Sequence, residues 1–381
     1  MTPIPLSLYI HFPWCLHKCP YCDFNSHQIP EQLPEKRYID ALLKDLEQEL
    51  PAIWGRPLHT VFIGGGTPSL ISASGMQRLL RGLNALLPMR PEMEITLEAN
   101  PGAFEQQRFT AYREAGITRL SIGIQSFHEQ QLQRLERVHN ADEAHRAADI
   151  ARQAGFDNFN LDLMFGLPEQ STQQAMDDLQ MAIAHQPPHL SWYQLTLEPN
   201  TLFYHQPPKL PDSDMLAKIQ DQGIALLEDN GYQQYEVSAY AQQGKQCQHN
   251  RNYWQFGDYI GIGAGAHGKI TIGKQITRRM KYKHPETYMA ACLDKTTADP
   301  VQQTNDLTEA ERSFEFMLNA LRLKEAVPKA LFEQTTLLPV SALAEGLQQA
   351  KEKGLMKENE THLVLTEQGW NFLNEAVACF L

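Results

Sequence analysis

The chain has 381 residues, 42% hydrophobic and 20% charged, which is ordinary for a globular protein with one large domain and a smaller one. Its formal net charge of −12 argues against broad attachment to nucleic acid or anionic membrane, both of which reward excess Lys and Arg. No apolar run reaches the roughly 18 residues of a membrane span, and the apolar start lacks a basic flank and a cleavage site, so a cytoplasmic location is expected.

Along the chain, short β-rich runs alternate with longer amphipathic segments. The pattern predicts strand over Leu6–Phe12, helix over Glu35–Trp54, strand over His59–Ile63 and helix over Met76–Leu87. Strand Glu94–Ala99, helix Phe104–Ala115, strand Arg119–Gln125 and helix Asp142–Ala154 follow, with Gly116 and Gly155 as helix stops. Strand Phe159–Phe165, helix Gln173–Ala184, strand Ser191–Leu197 and helix Asp214–Glu228 complete six strand–helix units. Such a run implies parallel strands with right-handed crossovers, and two units too few for a closed eightfold barrel. The expected fold is α/β, an incomplete (β/α)6 barrel spanning residues 1–234.

Residues 235–307 are rich in glycine and aromatics and read as short strands and loops beside the barrel, with Arg278–Pro300 as a connector. Residues 308–381 read as a separate winged-helix-like α+β domain. Its helices are expected over Glu309–Leu321, Val327–Thr335 and Val340–Lys353, before a strand pair around His362–Thr366. This domain holds 7 Lys/Arg against 11 Glu, a balance that disfavours contact with phosphates.

Three of the six cysteines fall within eight positions, in Cys15-Leu-His-Lys-Cys19-Pro-Tyr-Cys22. Clustered cysteines in a reducing compartment point to metal or redox chemistry. The x3-then-x2 spacing lets one short loop wrap three iron corners of a cubane cluster and leaves the fourth open to a small chelating molecule. A zinc knot completed by His17 or His27 stays open on the loop alone. Cys247, Cys292 and Cys379 are expected to be buried hydrophobes.

Position strengthens the cluster reading, because parallel strand–helix sheets place their sites at the carboxyl ends of the strands. The cysteine loop follows the first strand, and Gly64-Gly65-Gly66-Thr67-Pro68 follows the second. Glu98 ends the third in Glu98-Ala-Asn-Pro101, Gln125 ends the fourth, and Asp162 lies in the fifth. These features converge on one rim.

Tyr9-Ile-His-Phe-Pro-Trp-Cys15, the cysteine loop, the glycine run, Glu98-Ala-Asn-Pro101 and Ser121–Ser126 together resemble the radical-SAM group of anaerobic coproporphyrinogen dehydrogenases and HemW proteins. The resemblance runs from Tyr9 through the C-terminal domain. It implies that Cys15, Cys19 and Cys22 bind a 4Fe-4S cluster and that S-adenosylmethionine completes the fourth iron. Tyr9, Gly65 and Glu98 would touch this adenosylmethionine. Tyr21, Gly66, Thr67, Gln125, Arg137 and Asp162 match positions that serve a second one in the dehydrogenases.

Two departures set the chain apart from the dehydrogenases. Cys22-Asp-Phe-Asn25 lacks their extra cysteine, and only eight residues precede Tyr9. Instead, His249-Asn-Arg-Asn-Tyr253-Trp254 resembles the His-Asn-x-x-Tyr-Trp signature of the HemW branch. An imidazole is a natural haem ligand, so His249 is the haem candidate, although a hydrogen-bonded structural histidine is the plainer alternative. The branch implies a haem chaperone, not an enzyme with assigned catalytic residues. It would pass haem to respiratory proteins at the membrane, and a homodimer stays open. Oxygen-independent coproporphyrinogen III dehydrogenase is the alternative activity, and RNA modification a weaker third because the charge is wrong.

Two further motifs carry less. Gly263-Ala-Gly265-Ala-His-Gly268 has dinucleotide-fingerprint spacing, but a strand-like run follows where a helix is required. The basic run Arg278–His284 is read either as a partner for haem propionates or as a solvated loop.

Overall fold

The computed structural model describes residues 4–53, 55–87, 89–102, 107–294 and 299–381; the expected helix limits at Trp54 and Phe104 lie outside them. Its centre is one twelve-stranded sheet, whose strands are numbered here in chain order. These are β1 Leu6–Phe12, β2 Leu58–Gly65, β3 Glu94–Ala99, β4 Arg119–Gln125, β5 Phe159–Phe165 and β6 His189–Gln194. Then come β7 Gln233–Glu236, β8 Ala239–Ala241, β9 Asp258–Ile262, β10 His267–Ile272, β11 Gln275–Lys281 and β12 Val301–Asp306.

Strands β1 to β6 run parallel, each beside the next, as the six-unit pattern requires. A seventh parallel strand lies on the other side of β1: β9 pairs with it from Leu6–Asp258 to Ile10–Ile262. Antiparallel strands extend both edges, β10 to β12 beyond β9 and β8 with β7 beyond β6. The strand order is linear, from β12 to β7, so the barrel is open.

Alternation explains how the sheet is covered. On β1, Leu6, Leu8, Ile10 and Phe12 join the large apolar core with Leu42, Leu46, Leu79 and Leu83 of the outer helices. Ser7 instead bonds Thr60 Oγ1 at 2.8 Å, and Tyr9 and His11 share a hydrogen bond of 2.9 Å on the same face. The outer helices start where capping chemistry permits, with reciprocal capping boxes at Asn140/Glu143 and Ser171/Gln174.

A second core holds the C-terminal part. Helices Glu309–Ala320, Lys329–Thr336 and Ala344–Glu352 pack around a three-stranded sheet of Val327–Pro328, His362–Leu365 and Met356–Glu358. Helices Glu367–Asn371 and Leu373–Ala378 follow, both beyond the expected elements. Phe256 and Ile276 enter this core from the preceding segment, Phe256 with its ring 5.9 Å from Phe316.

The segment read as a connector is strand β11 followed by the helix Pro285–Leu293. The cations of its basic run that lie on β11 answer carboxylates, while Lys283 and His284 beyond the strand are exposed. Lys281 Nζ donates to Asp45 at 2.6 Å and to Glu49 at 2.7 Å, all three being buried. Arg279 pairs with Glu49 at 2.9 Å, and the Arg278 Nε donates to Glu315 at 2.9 Å. Cys247, Cys292 and Cys379 are buried free thiols, as expected.

Candidate functional site

The cysteine loop leaves β1 at the carboxyl end and returns on itself. Cys22 N donates to Cys19 O at 3.1 Å, and Ile29 N donates to Cys15 O at 2.9 Å. The glycine run after β2 packs beneath it, with Gly66 N donating to Phe12 O at 2.6 Å and Thr67 N to Trp14 O at 2.8 Å. These contacts require glycine. A Cβ on Gly65 (φ +115°) would stand 2.5 Å from the His11 ring, and one on Gly66 would stand 2.6 Å from Trp14 O. Asn25 ties the loop's far side down, its amide donating to Ala264 O and Lys283 O at 2.9 Å each. The Gly263–Gly268 stretch is therefore a turn, 263–266, that braces the cysteine loop and leads into the start of β10.

The three cysteines open into a cavity of about 420 Å³ inside the strand curve, which Tyr21, Gly65, Gly66, Thr67, Glu98, Gln125, Arg137 and Asp162 also line. The strand-end rule thus brings together every rim residue named from sequence. Tyr9 stands beside this group, near enough for the Glu98 charge to raise its pKa further above the level set by burial.

Each polar group here is held by identifiable partners. Glu98 accepts the Gly65 N–H at 3.0 Å, and burial pushes its carboxyl up to about 8, with Asp162 adding to the shift. Asp162 is likewise raised by burial, against hydrogen bonds from Ser121 at 3.0 Å and Asn160 at 2.8 Å. Gln125 adopts φ +66° beside a register shift in β4, and its amide oxygen accepts from Tyr193 Oη at 2.7 Å.

Arg137 reaches across the cavity to the sulfur of Cys19 at 3.5 Å, and to Asn100 Oδ1 at 2.7 Å and Gly123 O at 3.0 Å. Burial alone would lower its pKa, but Tyr21 and Cys19 more than offset this and hold it charged. Burial pushes the Cys15 thiol up to about 11 and raises Cys22 as well, so these thiols need a metal or a cation to ionise. Tyr193 and Asn100 were not singled out from sequence. Tyr193 obeys the strand-end rule on β6, and Asn100 sits inside the Glu98-Ala-Asn-Pro101 motif, so both were within reach.

Three thiols around a cavity, with a buried carboxylate and a buried cation facing them, suit a cluster that shares one corner with an amino-acid-bearing ligand. The zinc alternative is not supplied with a fourth ligand. His17 bonds Glu136 at 2.9 Å, and the His27 ring packs on His284 at 5.6 Å. Among the described residues no three His, Cys, Asp or Glu side chains are placed to hold a single metal ion.

His249 lies apart from the cavity lining. It sits on the helix Gln248–Trp254, 1% exposed, near the amino ends of β2 and β3. Its Nδ1 is bonded to Thr60 at 2.8 Å and its Nε2 to Tyr253 Oη at 2.9 Å, and burial lowers its pKa to about 3. Both ring nitrogens are engaged, so iron ligation requires one of these two bonds to open. Asn250 and Trp254 of the same helix do line the cavity.

The Radical SAM superfamily profile matches residues 9–182, and that of the HemN C-terminal domain matches residues 307–372. The "Heme chaperone HemW" of Haemophilus influenzae is 50% identical, covering 99% of this chain and 98% of that protein. The chain belongs to the HemW family. The Bacillus subtilis "Heme chaperone HemW" is 34% identical over 98% of this chain and 99% of its own length. The solved structure of Escherichia coli HemN, titled a coproporphyrinogen III oxidase and radical SAM enzyme, superposes with a TM-score of 0.84. It covers 99% of this chain and 90% of that one at 24% identity, a likeness of fold.

Proposed function

We propose that this chain is a haem chaperone, which binds haem and passes it to haem-requiring proteins, and that it carries a 4Fe-4S cluster and S-adenosylmethionine. The observation that supports it most directly is the full-length identity of 50% with a protein named heme chaperone HemW, together with the His249–Trp254 signature. Cys15, Cys19 and Cys22 would hold the cluster. Tyr9, Gly65 and Glu98 would hold the adenosylmethionine, with Tyr21, Gly66, Thr67, Gln125, Arg137 and Asp162 around it or around a second molecule. The cluster would supply an iron corner that chelates the ligand's amine and carboxylate.

His249 is proposed as the haem ligand once Tyr253 gives up Nε2. Its lowered pKa suits this role, because neutral imidazole is the form that binds iron. The acceptors are proposed to be respiratory proteins at the membrane, reached from the cytoplasm, with a homodimer as the working assembly. Among the described residues no helix is long and apolar enough to cross a membrane. The proposed divisions of the chain are residues 1–234, 235–307 and 308–381.

Anaerobically reconstituted protein titrated with haem tests the reading. A shifted Soret band is expected in the wild type and a weaker one in His249→Ala, with cluster absorbance unchanged. Unaltered haem affinity in the variant removes His249 from the site. Conversion of coproporphyrinogen III to protoporphyrinogen IX by the same preparation would replace the chaperone reading with the dehydrogenase one.

A further inference from the structure

We propose that the stretch of cavity wall formed by Arg322, Trp254 and Asn250 is a carboxylate-binding subsite. Its ligand is a propionate arm of the porphyrin, and the inference therefore rests on the haem reading above.

Arg322 follows the helix Glu309–Ala320, so it belongs to the C-terminal part, yet it lines the same cavity as the cysteines. Its backbone is fixed against the barrel. Arg322 O accepts from Val237 N at 3.1 Å, and Leu323 makes a β-bridge to Glu236. Its guanidinium lies over the Trp254 ring, 4.4 Å from the centroid. The side chain is thus held in place before any ligand arrives.

Three buried polar atoms without a hydrogen-bond partner meet at this point: Arg322 Nε, Trp254 Nε1 and Glu236 Oε2. Buried donors are nearly always bonded, and the Arg322 side chain that carries one of these is about one-third exposed, so an acceptor arriving along the cavity meets its outer nitrogens. Two of the three are donors, one of them cationic, and the Asn250 amide stands on the same wall. An anionic acceptor with two oxygens answers that set, and a carboxylate is the form in which a guanidinium fork is best matched.

Glu236 meets Arg322 only as a long ion pair. Its Oε1 accepts from Ser238 N at 3.1 Å and Ser238 Oγ at 3.2 Å, while its Oε2 stays 3.6 Å from Arg322 Nη2, beyond hydrogen-bond length. A ligand carboxylate would compete with it for the same cation. Neutralising Glu236 should free the cation for the ligand, and this gives the test its sign.

The experiment titrates full-length reconstituted protein with haem and with haem dimethyl ester, in which both propionates are blocked. Wild type is expected to prefer the free acid by about tenfold or more, in line with one charge-assisted pair. Arg322→Met should lose that preference while binding the diester unchanged, and Arg322→Lys should recover part of it. Glu236→Gln should bind haem as well as wild type or better. A preference that survives in Arg322→Met means that water alone satisfies these atoms and overturns the subsite. Weaker haem binding in Glu236→Gln means that Glu236 positions Arg322 instead of competing for it, and overturns the exchange of one carboxylate for the other. Wild type that binds neither haem nor the diester removes the haem reading itself, an outcome distinct from both.

Discussion

The Arg137 guanidinium donates to the Cys19 sulfur at 3.5 Å, although 118 residues separate them. One cation thereby joins the metal loop to the helical turn after β4, with Asn100 and Gly123 O fixing its other edge. Sulfurs bound to iron carry negative charge, and a buried cation beside them offsets it.

Arg137→Met is therefore expected to lower both cluster retention and adenosylmethionine affinity, the latter by about tenfold, as loss of one charge-assisted contact implies. Iron content after reconstitution and the change in the cluster's electron paramagnetic resonance on adding adenosylmethionine report the two effects. Full iron content with unchanged ligand response would leave Arg137 a purely structural cation.

Glu98 sets a pH dependence whose sign follows from its carboxyl being pushed up to about 8 by burial. Between its ordinary value and about 8 the folded chain binds a proton that the unfolded chain does not, so stability falls as pH rises through that window. Ligand binding runs the other way. The iron-bound amine would donate its N–H to the ionised carboxylate, so adenosylmethionine affinity should rise from pH 6 to about 8 and then level off. Glu98→Gln should flatten both profiles, measured by urea unfolding and by calorimetric titration. A wild-type affinity independent of pH would show that Glu98 does not meet the amine.

The His249 ring, held at about 3 by burial, stays neutral across the working range. Here the unfolded chain binds the extra proton, so this residue's contribution to stability is lost as pH drops below its ordinary value toward 3. Haem affinity limited by His249 should consequently hold steady from pH 8 down to pH 5. A Soret titration that collapses near pH 6.5 would point to a different, exposed histidine.

Lys281 gives a stability prediction independent of function. Lys281→Met leaves Asp45 buried without its cation, while Glu49 keeps Arg279, and should cost about 3–5 kcal/mol. Adding Asp45→Asn should recover much of that loss, since the penalty comes from the stranded charge. Urea unfolding of the single and double variants decides it.

The parallel strands were legible because each carries apolar residues at alternate or successive positions between amphipathic helical segments. Four of the six, including Leu6–Phe12 and Phe159–Phe165, begin and end where the sequence places them. Strand β11 was missed because its Arg-Arg-Met-Lys run looks solvent-facing, and only the buried Asp45 and Glu49 on a distant helix explain it. Strand β12, Val301–Asp306, is largely exposed and lacks alternation altogether. The metal loop and its rim followed from spacing plus the strand-end rule. Burial of His249 did not, because Thr60 reaches it only in three dimensions, although Tyr253, one helical turn on, is a local partner. Arg322 carries no local signal, since a lone arginine after a helix means nothing until the chain folds back on β7.

The pairing of β9 with β1 bears on how the protein is made. β1 reaches its final two-sided hydrogen bonding only when Asp258–Ile262 is available. During synthesis the strand that feeds the cysteine loop waits with one edge unpaired, a state open to wrong partners. Roughly the first two-thirds of the chain must leave the ribosome before that edge is sealed. Shortened products ending before Asp258 should therefore aggregate, and iron insertion belongs late in biogenesis, after the chain's beginning and its later half have met.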